Sequence, residues 1–189
     1  TSVAMAEQLA TQSAPLRFMT YGPAACLHTE AHRDLETEVR RIVVAKQSGR
    51  LHVAVVGPIY GGSLPIARYA VAALESLGHR VSWLDQSPHR ASYDLFSSNR
   101  EPRHRLTMQS RFADLLSLGV VTHLAEDPPD LVLALAQAPL NLAVLDHLRK
   151  KKFLTAMWFV ENYRHLTYWQ QLAGGYDYWF VIQQASCVD

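Results

Sequence analysis

Residues 51–85, LHVAVVGPIYGGSLPIARYAVAALESLGHRVSWLD, constrain the fold more than any other part of the chain. Leu51 to Val56 is a short apolar run, the pattern of a strand buried on both faces. Gly57, Gly61 and Gly62 come next, where the backbone can turn sharply and approach a ligand closely. Ser63 can cap a helix starting at Leu64, and Pro65 is tolerated in its first turn. Ala67, Ala70, Val71, Leu74 and Leu77 recur at helical spacing and make one apolar face. Gly78 supplies the stop, and Val81 to Leu84 is the next strand. A strand–helix–strand crossover makes the two strands parallel. Ligands of such folds bind at the carboxyl ends of the strands, which is where Gly57 to Ser63 falls.

The rest of the chain repeats the alternation. Leu131 to Leu135 and Tyr178 to Ile182 read as buried strands, and so does Phe153 to Val160. Leu16 to Tyr21 is a further short apolar run with strand character. Helices are expected at Thr29 to Gln47, at Leu106 to Leu118 with Phe112, Leu115 and Leu116 inward, from Pro139 through Leu148, and at Leu166 to Leu172. Gly119 is expected to end the second of these, leaving Val120 to Leu124 as a strand or a link. The polar stretch Gln86 to Arg105 is long for a plain connection and has room for a short helix around Tyr93 to Phe96. The pattern predicts an α/β fold: an open, mostly parallel Rossmann-like sheet with helices on both faces. Residues 1–50 read as an N-terminal extension with one helix, and residues 51–189 as the Rossmann-like domain.

Composition narrows the function. With 49% apolar and 19% charged residues the chain can build a real core. A formal charge of +1 argues against nucleic acid as a partner. The basic run Arg149 to Lys152 suits the solvated C-terminal end of a helix. Cys26 and Cys187 are far apart and outside any CxxC pair, which fits a reducing, cytoplasmic setting. No apolar stretch reaches the roughly 20 residues of a transmembrane helix. The chain begins without Met and stops just after a strand-like segment, as a fragment would.

Several chemistries fail on spacing. Gly57-Pro58-Ile59-Tyr60-Gly61-Gly62 is not the GxGxxG of a dinucleotide site, although Asp85 ends the second strand where a ribose-binding acid would sit. No Gly-Lys-Ser/Thr supports a phosphate loop, and no GxSxG supports a serine hydrolase. His28 and His32 stand four apart without HExxH or a third ligand, so no metal site is expected. No cofactor is expected either. Arg68, early in the glycine-loop helix, could meet an anion or simply be solvated. His123, His147 and His165 are isolated. Trp158-Phe-Val-Glu161-Asn162 delivers a carboxylate and an amide to the binding edge of the sheet. Both can hydrogen-bond the hydroxyls of a sugar or another polyol, or Asn162 can serve only to cap the next helix. The aromatics Trp158, Tyr163, Tyr168, Trp169, Tyr176, Tyr178 and Trp179 are expected to fill the core.

The run GPIYGGSLPIARYAVAALESLGHRVSWLD resembles the opening of glycosyltransferases built from two facing Rossmann-like lobes, the GT-B architecture. Pro129-Asp130-Leu-Val-Leu, Thr155-Ala-Met-Trp-Phe-Val-Glu-Asn162 and Tyr176-Asp177-Tyr-Trp-Phe resemble the N-terminal domain of the CgeB-like, spore-maturation-type family over roughly residues 51 to 183. The resemblance implies an acceptor-side lobe of a hexosyltransferase whose glycine loop, Gly61, Gly62 and Ser63, borders the cleft, with Glu161 and Asn162 on the acceptor side. It implies a nucleotide-sugar donor, held by a lobe not contained in this chain, and a sugar or polypeptide acceptor. The chain by itself is then expected to be inactive. A stand-alone Rossmann-like binding or regulatory module is the alternative, and a nicotinamide-dependent oxidoreductase is a weaker third.

Overall fold

The computed structural model describes residues 17–20, 37, 49–162 and 164–182. Six strands form one parallel sheet: β1 (Arg17–Thr20), β2 (His52–Val56), β3 (Arg80–Leu84), β4 (Leu131–Leu135), β5 (Leu154–Phe159) and β6 (Tyr178–Val181), in the order β1-β6-β5-β4-β2-β3. Strand β2 lies between β3, at the edge of the sheet, and β4. It pairs with β3 from His52 to Val56 and with β4 from Val53 to Val56, both parallel, and all five of its residues are buried. A strand bonded on both edges and covered on both faces must be apolar throughout, as this one nearly is. Beyond β2 the chain first steps outward to β3. It then crosses back to β4 and continues through β5 to β6. The direction therefore reverses between β2 and β4, and the carboxyl ends of those strands flank a crevice.

Helices lie on both faces, as the Rossmann-like pattern requires. On one face α1 (Ser63–Ser76) buries Ala67 against Val53, Val55 and Leu135, with Ile66, Val71 and Leu74 packed alongside. On the other, α3 (Pro102–Glu126) and α4 (Leu142–Lys150) bring Val120, Leu124, Val144, Leu145 and Leu148 against Ala54, Val56, Val132 and Ala134. The short α2 (Arg90–Ser97) comes after a 3₁₀ turn at Ser87–His89 and packs on α3, as the polar stretch after Asp85 allows. The α5 helix (Trp169–Leu172) leads through another 3₁₀ turn into β6. Trp179 stacks on Phe159 at 5.5 Å between ring centroids, and Tyr176 meets it edge-on. Tyr176, Tyr178 and Trp179 are core, as expected, while Trp158, Tyr168 and Trp169 are half-buried.

Three sequence expectations are corrected. The helix expected to stop at Leu118 runs unbroken to Glu126, and Val120 to Leu124 is neither strand nor link. Leu116, Val120 and Leu124 recur every four residues and are all buried, which outweighs the roughly 1 kcal/mol that Gly119 costs in a helix. Gly119 itself faces open space. Leu115, expected inward, is 62% exposed. The helix expected from Pro139 begins at Leu142, because Asn141 is the residue that caps it, its Oδ1 accepting from the Val144 amide at 2.9 Å. Arg17–Thr20 is a strand and pairs with β6. The helix expected over Thr29 to Gln47 lies outside the described residues, apart from Thr37, which is helical. His28, His32, Cys26 and Cys187 also lie outside them.

The amino end of the sheet is tied by polar groups. The His52 side chain is buried, with Nδ1 3.1 Å from the Pro128 carbonyl and Nε2 2.8 Å from Ser82 Oγ. A carbonyl only accepts, so Nδ1–H donates to Pro128. The His52 amide donates to Asp130 at 2.7 Å. Asp127 accepts from Arg80 and lies within reach of Ser82, and the Arg80 hydrogen bond holds its carboxyl below the ordinary value of 3.8. A carboxylate with a depressed folded value stabilises the fold at pH above its unfolded value, and that contribution disappears as pH falls through the folded value. Asp127→Asn is therefore expected to lower the melting temperature at pH 7. The difference from wild type should shrink as pH falls below the ordinary value of 3.8 and through the folded value, in thermal unfolding followed by circular dichroism.

Candidate functional site

The loop after β2 is built by glycines with three separate jobs. Gly57 continues the strand, its amide donating to the Leu84 carbonyl at 3.1 Å, and the Trp83 ring lies where its Cβ would be. That glycine serves packing rather than ligand approach. Gly61 is at φ +99, a region that costs an L-residue about 1–2 kcal/mol, and a Cβ there would run into Gln137 Oε1. Gly62 is right-handed at φ −69 and is the N-cap of α1. A Cβ on it would meet only Glu161 Oε1, at 3.8 Å.

Ser63 does not cap the helix. It is fully buried and donates its hydroxyl to Glu161 Oε1 at 2.6 Å. This bond joins the loop after β2 to the bend after β5, 98 residues apart in the chain. Of the sequence-predicted site residues, Gly61, Gly62, Ser63 and Glu161 come together at the carboxyl edge of the sheet. Asn162 is beside them, but its groups are used in a turn. Oδ1 accepts from the Arg164 amide at 2.9 Å, and the carbonyl accepts from the His165 and Leu166 amides. Arg68 reaches Asp85 at 3.9 Å across solvent, and Asp85 Oδ1 accepts from the Ser87 amide at 2.9 Å. Asp85 is thus committed to the turn after β3.

A hollow of about 250 Å³ opens between the loops after β2 and β4, at the reversal of strand order. Its walls include Tyr60 from the first loop, Gln137 to Asn141 from the second, Tyr93 from α2, Asp114 from α3, and Leu166 and Tyr168 from the segment after β5. Gln137 has φ +67, unusual for a non-glycine residue. Its amide N–H donates to the Tyr168 hydroxyl at 2.7 Å, and its side-chain Oε1 is buried with no hydrogen-bond partner among the described residues. A buried acceptor without a donor is costly, by about 1–3 kcal/mol. Such groups cluster where a ligand or water completes the bonding. The Tyr168 phenol is pushed up to about 12, by burial above all and with the nearby Glu161 charge adding to it, so it keeps its proton. The Tyr60 and Tyr93 hydroxyls lie 3.4 Å apart, and burial raises Tyr93 as well. Asn141 Nδ2 donates to Asp114 Oδ1 at 2.8 Å, joining two of the lining residues.

Gln137, Tyr60, Tyr93 and Tyr168 were not among the sequence-predicted site residues. One signal was present: Gln137 is a polar residue inside the otherwise apolar run Leu131 to Leu140, at the end of a buried strand. Tyr168 was indistinguishable by sequence from the core aromatics around it. Among the described residues no group of three or more His, Cys, Asp or Glu could hold a metal ion. No helix of the described residues is long and apolar enough to cross a membrane.

Comparison of the chain with family models, with curated proteins and with solved structures finds no match.

The two exposed loop glycines should respond oppositely to alanine. Gly61→Ala is expected to lower stability by at least about 1 kcal/mol, through its positive φ and the collision with Gln137. Gly62→Ala is expected to stay within about 0.5 kcal/mol of wild type. Urea denaturation of both variants checks the contrast.

Proposed function

We propose that this domain is the acceptor-side lobe of a two-lobed, CgeB-like glycosyltransferase. In this reading a hydroxyl-bearing acceptor, a sugar or a sugar-bearing polypeptide, sits in the hollow between the loops after β2 and β4. A nucleotide-sugar donor is presented from a second lobe. The acceptor oxygen bonds to the anomeric carbon, the bond from that carbon to the nucleoside diphosphate breaks, and the acceptor hydroxyl proton is released. The domain contributes position above all, since holding the acceptor oxygen in line removes much of the entropic barrier.

One observation carries the reading. At the crevice where open α/β sheets bind ligands, a hollow of about 250 Å³ is lined by three tyrosines, Tyr60, Tyr93 and Tyr168, together with Gln137, Asp114 and Asn141. A polyol can hydrogen-bond polar side chains of this kind, and the tyrosine rings supply faces for its apolar side. The resemblance of residues 51 to 183 to the CgeB-like N-terminal domain adds the reaction class. A cytoplasmic setting suits two cysteines that form no CxxC pair.

A stand-alone binding module is the second reading. It is favoured by the fact that the walls of the hollow named above all come from this one domain.

A donor-hydrolysis screen across nucleotide sugars with the complete gene product separates the two. Sugar release from one of the nucleotide sugars is expected, and Gly61→Ala should reduce it by about tenfold or more. Ligand binding without hydrolysis of any nucleotide sugar would establish the binding module instead.

A further inference from the structure

We infer that the sugar taken by this hollow carries an apolar ring, as an aryl glycoside does, and that the hollow seats that ring while its rim holds the sugar. This inference rests on the reading of the hollow as a polyol site and adds the chemical class of the group to which the polyol is attached.

The argument begins with the burial of the lining residues. Those that are buried, Ile59, Ala138, Pro139 and Leu140, are all apolar. The polar ones, among them Tyr60, Tyr93, Asp114, Asn141 and Tyr168, are all half-buried. Leu166 and Leu172 add further apolar surface to the half-buried part. The hollow therefore has an apolar floor and a mixed rim. A sugar hydroxyl seated on the floor would give up water and gain no partner, at a cost of about 1–3 kcal/mol. An apolar group seated there is favoured instead, in proportion to the area it buries. The tyrosine rings of the rim suit a flat group, which they can stack on or meet edge-on.

The wall after β4 has no amide to spare for a ligand. The Gln137 N–H donates to the Tyr168 hydroxyl at 2.7 Å, and the Ala138 N–H to the Leu135 carbonyl at 2.9 Å. The Leu140 N–H donates to the Ala138 carbonyl at 2.8 Å, and the Asn141 N–H to Ser117 Oγ at 3.3 Å. Pro139 has no N–H to give. The Asn141 side chain is spent as well, with Oδ1 on the Val144 amide and Nδ2 on Asp114. The other hydrogen-bonding groups of the rim are few and partly engaged. The Tyr60 and Tyr93 hydroxyls lie 3.4 Å apart, the Tyr168 hydroxyl takes the Gln137 amide, and one Asp114 oxygen takes Asn141. A bare hexose carries a hydroxyl on most of its carbons. A rim of this kind can hold one edge of the sugar but cannot satisfy hydroxyls all round it. At about 250 Å³ the hollow is also below the ~300–1,000 Å³ of drug-sized sites, so a ring on the floor leaves the rest of a larger ligand at the rim.

The test is a chemical-shift titration of the chain, labelled at its backbone amides and its Ile and Leu methyl groups. The probes are the phenyl and methyl glycosides of glucose, galactose and mannose, and phenol alone. For a sugar that binds, the phenyl glycoside is expected to bind at least about tenfold more tightly than the methyl glycoside, through the area its ring buries. The ring should also displace the methyl signals of Ile59, Leu140 and Leu172 by its ring current, which the methyl glycoside lacks. Equal affinity of the two glycosides would overturn the inference and leave the polyol site standing. So would a phenyl glycoside that binds more tightly without moving any of those methyl signals, since its ring would then lie elsewhere. Phenol binding as tightly as the phenyl glycoside would show that the sugar adds nothing, and would overturn the inference together with the polyol reading. If none of these compounds perturbs the hollow, the polyol reading itself falls, and this inference with it.

Discussion

The structure depends on the double pairing of β2. Its backbone is bonded to β3 on one side and β4 on the other, and its side chains are enclosed on both faces. A strand so placed has no solvent to satisfy it, so its polar backbone groups are completed by its neighbours and its side chains by apolar contact. The two neighbours arrive from opposite directions of the fold, one straight after α1 and the other after α2 and α3. That difference creates the crevice at their carboxyl ends. The glycine loop and the Gln137 loop are adjacent only because β2 and β4 are.

The crevice is held open by interactions that a sequence separation of 98 residues hides. Ser63 is buried under the start of α1, where a lone hydroxyl would be costly, and Glu161 satisfies it. Tyr168 satisfies the Gln137 amide in the same way from the next segment. The segment after β5 therefore closes one side of the hollow through two hydrogen bonds, each to a different loop. Gln137 Oε1, like the buried Tyr176 hydroxyl, is left without a hydrogen-bond partner among the described residues.

Much of the architecture was legible because it derives from short-range chemistry. Short apolar runs marked β2 to β6, most of them within a few residues of a glycine or proline, and the run around Arg17–Thr20 marked β1. The two misplaced helix boundaries have one cause. Gly119 and Pro139 are strong local punctuation, and both were read as boundaries. Tertiary burial of Leu116, Val120 and Leu124 carried α3 through the glycine, while the Asn141 cap delayed α4 past the proline. At the site, the glycines and the acid after β5 could be nominated from their position at strand ends. The separate duties of Gly57, Gly61 and Gly62 could not be, since they depend on Trp83, Gln137 and Glu161 respectively.

Strand and helix type, the parallel order of the first crossover and the placing of the glycine loop at the carboxyl edge of the sheet were determined by the sequence itself, through hydrophobic period and turn chemistry acting over short stretches of chain. Which loops meet, and which polar groups are completed by doing so, was decided only by the tertiary structure. Ser63 looks like a helix cap until Glu161 is placed beside it, and Gln137 looks like a surface residue until Gly61 makes room for its amide. The physical reason is that hydrogen-bond satisfaction in a buried site is a property of atoms brought together in space, and chain distance carries no trace of it.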